Sequence, residues 1–208
     1  MDGSLLDTEP IHLQAHLDQC AALGIEVTVE RIEQNVGLGD DVFYQNLCIE
    51  AGRPDPGPAA GLAMAKAKEA LLFERYRRYG VSSGAGVEQV YRLARRRGLP
   101  QCLVTSSRRA AARLAMRGQH WHRRLTNRVC SEDVRQHKPR PMPYRLAALR
   151  LRMPPCHLLV FEDSPAGVTA ARAAGCTVVG LSGIVPAERL RSAGADIVVP
   201  HAWQAIVA

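Results

Sequence analysis

Along the first third of the chain, apolar residues recur at intervals of three and four. Between Glu9 and Gly24 they fall at Ile11, Leu13, Leu17, Cys20, Ala21 and Leu23. Pro10 is placed for a first helical turn and Gly24 for a stop. Similar spacing predicts helices over 29–36, 40–51 and 59–79. The loops between them carry Gly37, Gly39 and the breaker-rich stretch Gly52-Arg53-Pro54-Asp55-Pro56-Gly57-Pro58. Residues 25–29 are ambiguous, and nothing else between 10 and 80 reads as a strand. That third of the chain is expected to be an all-helical insert.

After Gly80 the pattern changes. A helix over 87–97 closes on Gly98, and the short apolar run Cys102-Leu103-Val104 reads as a buried strand ending in Thr105-Ser106-Ser107. A helix over 108–117, a strand over 128–130, a helix over 143–152 and a strand over 157–161 follow. Ser164 is the N-cap of the next helix, with Pro165 at its first position and Gly175 beyond its end. A strand over 176–181, a helix over 187–192 and a strand over 197–199 complete the chain. Strands alternating with helices predict an α/β fold, a parallel sheet covered on both faces. The expected division is a core of 1–9 with 81–208 and a helical insert of 10–80. Ligands of such sheets bind beyond the carboxyl ends of the strands, which directs attention to the loops starting at Thr105 and Glu162.

Composition narrows the class. The chain has 208 residues, 47% of them apolar, enough for one core plus a smaller inserted unit. The longest apolar run, Leu158 to Phe161, stops at Glu162 and Asp163, far short of the ~20 residues of a membrane span. The acidic first twenty residues lack a signal-peptide pattern, so a cytoplasmic protein is expected. Six cysteines are scattered singly, which favours reduced buried thiols over a disulfide framework or a zinc site. His120 and His122, two apart, point to different faces of a helix. The net charge of +7 comes from arginine clusters near predicted helix ends, where the helix dipole favours cations. With no interleaved aromatics, nucleic-acid binding ranks below attraction for small phosphorylated anions.

Four short stretches carry candidate chemistry. Asp2-Gly3-Ser4-Leu5-Leu6-Asp7-Thr8-Glu9-Pro10 opens the chain. Leu103-Val104-Thr105-Ser106-Ser107 places hydroxyls and backbone N–H groups at a strand end, a phosphate cradle or simply a helix cap. His137-Lys138-Pro139-Arg140-Pro141 holds a lysine before a helix, either a charge-neutralising group or a surface lysine. Val160-Phe161-Glu162-Asp163-Ser164-Pro165 ends a hydrophobic strand on two adjacent carboxylates. Such a pair is costly to bury unless it is paired or holds a cation. Ser164 already supplies the helix cap, so the acids are expected to bind metal. Magnesium suits an all-oxygen set of this kind.

In order, spacing and context these stretches resemble the haloacid dehalogenase-like phosphohydrolases, in the subfamily with a small helical cap that includes sugar-phosphate phosphatases and β-phosphoglucomutases. Met142 departs from the acidic residue usual after the third motif. The resemblance implies a Rossmann-like core and Mg²⁺-dependent phosphoryl transfer through an aspartyl-phosphate. It assigns Asp2 as general acid and base, and the Asp2 backbone carbonyl with Glu162 and Asp163 as metal ligands. Thr105, Ser106 and Lys138 are implied to hold the phosphate, with Thr8 and His12 as possible substrate or cap residues. The family's nucleophile lies one residue before Met1, so it and the central strand that carries it are expected to be absent from these residues. The β-phosphoglucomutases carry Gly-x-x-Arg in a cap loop. Here Gly37-Leu38-Gly39-Asp40 ends in an acid, which favours a phosphatase on a monophosphate over a mutase, with Lys66 or Lys68 as the alternative source of a cation.

Three function classes follow: a monomeric phosphatase of a small phosphorylated metabolite whose true start lies upstream, a non-catalytic relative that binds phosphorylated ligands, and a nucleic-acid binder. A missing central strand would leave unpaired ladder groups at ~1–3 kcal/mol each. It would also leave a void, at ~2–5 kcal/mol for each large side chain lost. Against a typical stability of ~5–15 kcal/mol, the 208-residue chain is expected to fold poorly.

Overall fold

The computed structural model describes residues 1–34, 39–183 and 185–206. It contains two compact units, Met1–Asp7 with Val81–Ala208, and Thr8–Gly80. Thr8 and Glu9 go with the helical unit, because the first helix already begins at Glu9.

In chain order, the short strand β1 (Leu6–Asp7) precedes the four helices α1 (Glu9–Ala22), α2 (Val29–Glu33), α3 (Asp40–Glu50) and α4 (Gly57–Tyr79). The remainder runs β2 (Ser82–Ser83), α5 (Val87–Arg96), β3 (Cys102–Val104), α6 (Arg109–Ala115), β4 (Asn127–Val129), α7 (Met142–Leu151), β5 (Leu159–Glu162), α8 (Pro165–Ala174), β6 (Thr177–Leu181), α9 (Ala187–Ser192) and β7 (Ile197–Val199).

In the helical unit, residues 25–28 form no strand. Thr28 caps α2 by accepting the Arg31 N–H at 3.2 Å. The predicted end of this helix and the glycine-bearing loop, Asn35 to Leu38, lie outside the described residues. Phe43 and Tyr44 are fully buried with Cys20, Ile25, Ile32 and Leu47 around them. Burying an aromatic of that size contributes ~1.5–3 kcal/mol.

The α/β unit has parallel strands, as the alternating pattern predicts, yet they form two ladders. β3 pairs with β4, and β5, β6 and β7 pair in that order. The antiparallel pair β1–β2 was not anticipated; at two residues each, those strands are too short for a periodicity to register. α8 forms for the local reasons expected. The Ser164 hydroxyl accepts the Gly167 N–H at 3.1 Å, Pro165 starts the helix, and Gly175 ends it at φ 93°. No helix among the described residues is long and apolar enough to cross a membrane.

Candidate functional site

The first six residues form a tight turn. The Met1 carbonyl accepts the N–H groups of Leu5 and Leu6 at 2.8 and 3.0 Å, and the Asp2 carbonyl accepts that of Ser4 at 2.7 Å. Gly3 allows the turn at φ 64°, and a Cβ there would collide with the Asp163 carboxylate. The backbone at Gly3 therefore approaches Asp163 as only glycine permits.

This turn joins the ends of two strands. Beyond β3, the Ser107 hydroxyl donates to Asp2 Oδ2 at 3.0 Å. Beyond β5, Asp163 Oδ1 accepts the Ser4 hydroxyl at 2.8 Å. β3 and β5 thus run toward the same turn, and their carboxyl ends meet there. Asp2, Thr105, Ser107, Lys138, Glu162 and Asp163 all belong to the α/β unit.

Glu162 is buried at 3% exposure and fully engaged. Its Oε1 accepts from both Lys138 Nζ and the Tyr144 hydroxyl, and its Oε2 accepts the Ser164 hydroxyl at 3.1 Å. Gly167 leaves the room this requires, since a Cβ there would overlap the Glu162 carboxylate. Burial by itself pushes the Glu162 carboxyl up. The charges of Lys138 and of the Met1 terminal ammonium, with the hydrogen bonds from Lys138 and Tyr144, outweigh burial and hold it below its usual range. Asp163 shifts the other way: burial and the neighbouring Glu162 charge raise it, against the Met1 ammonium, the Ser4 hydrogen bond and Lys138. The two carboxylates thus share the positive charges of Lys138 and the Met1 ammonium, with Glu162 closest to the lysine.

The hydroxyl stretch is held by hydrogen bonds of its own. Thr105 is buried, and its Oγ1 accepts the Ser107 N–H at 3.0 Å. The first amide of α6, that of Arg109, donates to both carboxylate oxygens of Glu132 at 3.0 Å each. The α6 entrance is therefore already capped by an acid. Ser106 is exposed. Sequence reading missed Ser4, Ser107 and Tyr144. A buried tyrosine needs a partner for its hydroxyl, and that signal was available.

Among the described residues no group of three His, Cys, Asp or Glu side chains comes together as a metal cage. The expected set is of another kind, one backbone carbonyl with two carboxylates. It fits a hard cation that keeps several waters, since all its donors are oxygens and Asp163 is hydrogen-bonded to the turn that carries the Asp2 carbonyl.

Thr8 and His12 belong to the helical unit. Thr8 is fully buried at the start of α1. His12 Nδ1 lies 3.0 Å from Lys68 Nζ, and its Nε2 lies 3.1 Å from the Tyr76 hydroxyl. An ammonium only donates, so Nδ1 accepts and Nε2 carries the proton. Lys68 is buried and also bonds Asp40 Oδ2 at 3.1 Å. His16 packs beside this chain, with Nδ1 2.9 Å from the Tyr44 hydroxyl. Burial first, then Lys68 and His12, lower its pKa to about 4 against the pull of Asp40.

Residues 1–181 match the family described as haloacid dehalogenase-like hydrolase. The chain is 30% identical over 183 residues to the fructose-1-phosphate phosphatase YqaB of Escherichia coli, covering 86% of this chain and 92% of that protein. It is 29% identical over 184 residues to the protein CbbY of Cereibacter sphaeroides, covering 84% and 78%. Among solved structures, CbbY from Rhodobacter sphaeroides in complex with phosphate superposes with a TM-score of 0.78 at 24% identity, covering 97% and 91%. A haloacid dehalogenase-like protein of unknown function from Agrobacterium tumefaciens superposes with a TM-score of 0.79 at 25% identity, covering 99% and 94%.

Proposed function

The chain belongs to the haloacid dehalogenase-like hydrolases as a phosphatase-like member, and from that footing we propose a Mg²⁺-dependent, cytoplasmic, monomeric phosphatase of a small sugar phosphate-like metabolite. The observation that carries this reading is the turn at Asp2, which ties the ends of β3 and β5 together through Ser107 and Asp163.

In the proposed reaction a carboxylate attacks phosphorus and the bond to the leaving oxygen breaks. Asp2, held through Oδ2 by Ser107, gives its proton to that oxygen and later takes one from the water that cleaves the acyl phosphate. Thr105 and Ser106 hold phosphoryl oxygens, Thr105 from its buried position at the strand end. Lys138, fixed by Glu162, supplies positive charge beside them. Glu162, Asp163 and the Asp2 carbonyl would hold Mg²⁺, which supplies charge neutralisation for the transferring group. Tyr144 and Ser164 keep Glu162 oriented.

In the helical unit, Asp40 pairs with Lys68, so that cation is already balanced. This supports a substrate with one phosphate over a bisphosphate-dependent mutase. Thr8 and His12 are proposed to bear on substrate choice.

The test is hydrolysis of p-nitrophenyl phosphate and a panel of sugar monophosphates by a chain extended before Met1 with a strand ending in Asp. Activity that is abolished by EDTA and by Asp2→Asn is expected. An extended, folded chain that binds phosphate yet turns over nothing would favour the non-catalytic relative instead.

A further inference from the structure

Between residues 89 and 131 the chain has eleven arginines, no lysine and no carboxylate. Those charges exceed the net +7 of the whole chain, so the remainder is net acidic. All but Arg128 are exposed, and the whole stretch belongs to the α/β unit. Two of the arginines reach an acid outside the stretch: Arg92 bonds Glu88, and Arg109 bonds Asp133. Arg128 donates to the carbonyls of His122 and Leu125 at 2.6 and 2.8 Å. Among the described residues the other eight have no carboxylate partner.

The helix dipole accounts for part of this charge. Arg95 and Arg96 sit in the last turn of α5 and Arg113 in that of α6, where cations are favoured. Arg117, Arg123 and Arg124 lie beyond α6, in compact turns over 116–125 closed on the carbonyls of Met116, Gln119 and Trp121. α6 buries Ala111, Ala112 and Ala115 and presents Arg109 and Arg113, four apart, to solvent. Like charges at that spacing destabilise a helix. In the turns, His122 is faced by Arg128, Arg123 and Arg113, whose charges add to burial in lowering its pKa. Two segments thus build one patch of a single sign, and their own sequence holds no acid to balance it.

We propose that Arg113, Arg117, Arg123 and Arg124, with Arg128, form a docking surface for the phosphate backbone of a nucleic-acid duplex, bound without regard to sequence. Guanidinium forks grip phosphate oxygens two at a time, which suits a stretch that uses arginine to the exclusion of lysine. A duplex presents one negative charge per ~1.7 Å of its axis, the density that a patch without acids can meet. Single strands bind by stacking on exposed rings. Here Trp121 is buried against Tyr91. Helices that dock on anionic membranes also insert apolar side chains, and no large apolar residue between Leu99 and Met142 is exposed. Contacts to phosphate alone carry no base information. None of these arginines belongs to the groups assigned to phosphoryl transfer, so the inference stands apart from the phosphatase reading.

Fluorescence anisotropy of a labelled duplex of arbitrary sequence, titrated with the full chain, tests it. With about four phosphates engaged, affinity should fall on the order of 100-fold between roughly 50 and 200 mM salt. A chain carrying Arg113→Gln, Arg117→Gln, Arg123→Gln and Arg124→Gln should bind roughly 10-fold or more weakly at the lower salt. Its log–log salt slope should drop by about one for each arginine replaced. A control with Arg77→Gln, Arg135→Gln, Arg145→Gln and Arg189→Gln loses the same charge from other exposed positions and should keep most of the affinity and the slope. Equal losses in the two variants would reduce the effect to net charge and overturn the surface. A second measurement needs no variant to fold. On the unaltered chain, excess duplex should shield the four patch arginines from phenylglyoxal while Arg77 and Arg189 go on reacting. Modification unchanged by duplex would overturn the proposal. So would a single strand of equal length that binds more tightly than the duplex. Displacement of the duplex by phosphatidylserine vesicles or polyglutamate at equal charge would assign the patch to a membrane or an acidic protein and overturn the duplex.

Discussion

Each unit of the molecule buries a lysine against a carboxylate, and the two pairs are balanced in opposite ways. Lys138 meets Glu162 with side-chain exposures of 11% and 5%, and Asp163 adds a second carboxylate beside them. Lys68 is equally buried at 4%, but its partner Asp40 is 35% exposed, and its other neighbour, His12, is a hydrogen-bonded base. The first pair sits beside a second buried carboxylate in a place with little water. The second is neutral overall, with a relay of hydrogen bonds from Asp40 through Lys68 and His12 to Tyr76. A buried ion pair contributes little net stability by itself, because desolvation offsets the attraction. What differs is the company each lysine keeps: two carboxylates at the first, a carboxylate and an imidazole at the second.

Lys138→Met should have the largest effect. It leaves Glu162 and Asp163 buried without the Lys138 charge, which is expected to lower stability by ~3–5 kcal/mol in urea unfolding. A loss no larger than that of an exposed pair would break the contrast. Mg²⁺ at about a hundred times its dissociation constant should stabilise the chain by ~2.7 kcal/mol. Asp163→Asn should abolish that gain, and Asp40→Asn should leave it intact, both read from thermal melts.

His16 gives the helical unit a pH signature. Its folded pKa, about 4, lies below the ordinary 6.5, so between those values the unfolded chain binds the extra proton. Its contribution is therefore complete above pH 6.5 and lost as pH falls toward 4, by ~2–3 kcal/mol. His16→Gln should flatten the acid limb of the stability curve in that window. Lys68→Met should cost about 1–3 kcal/mol, less than its counterpart at 138, because water reaches Asp40. Smallest of all, Arg172→Ala removes a half-exposed bridge to Asp196 and should change stability by only ~0.2–1 kcal/mol.

Local chemistry was legible along the chain wherever neighbours in sequence suffice. The Ser164-Pro165 start and Gly175 stop of α8, the helices before Gly80 and the parallel strands after it follow from caps, breakers and periodicity, which act over a few residues. The motif spacing also led to the family, with Asp2, Thr105, Lys138, Glu162 and Asp163 as its expected chemical groups. Tertiary structure alone decided the partners. That Ser107 holds Asp2, that Tyr144 joins Lys138 on Glu162, and that Glu132 caps α6 in place of an anion depend on side chains far apart in sequence. The opposite shifts of Glu162 and Asp163 and the pairing of Lys68 are likewise sums over neighbours that a linear pattern does not carry.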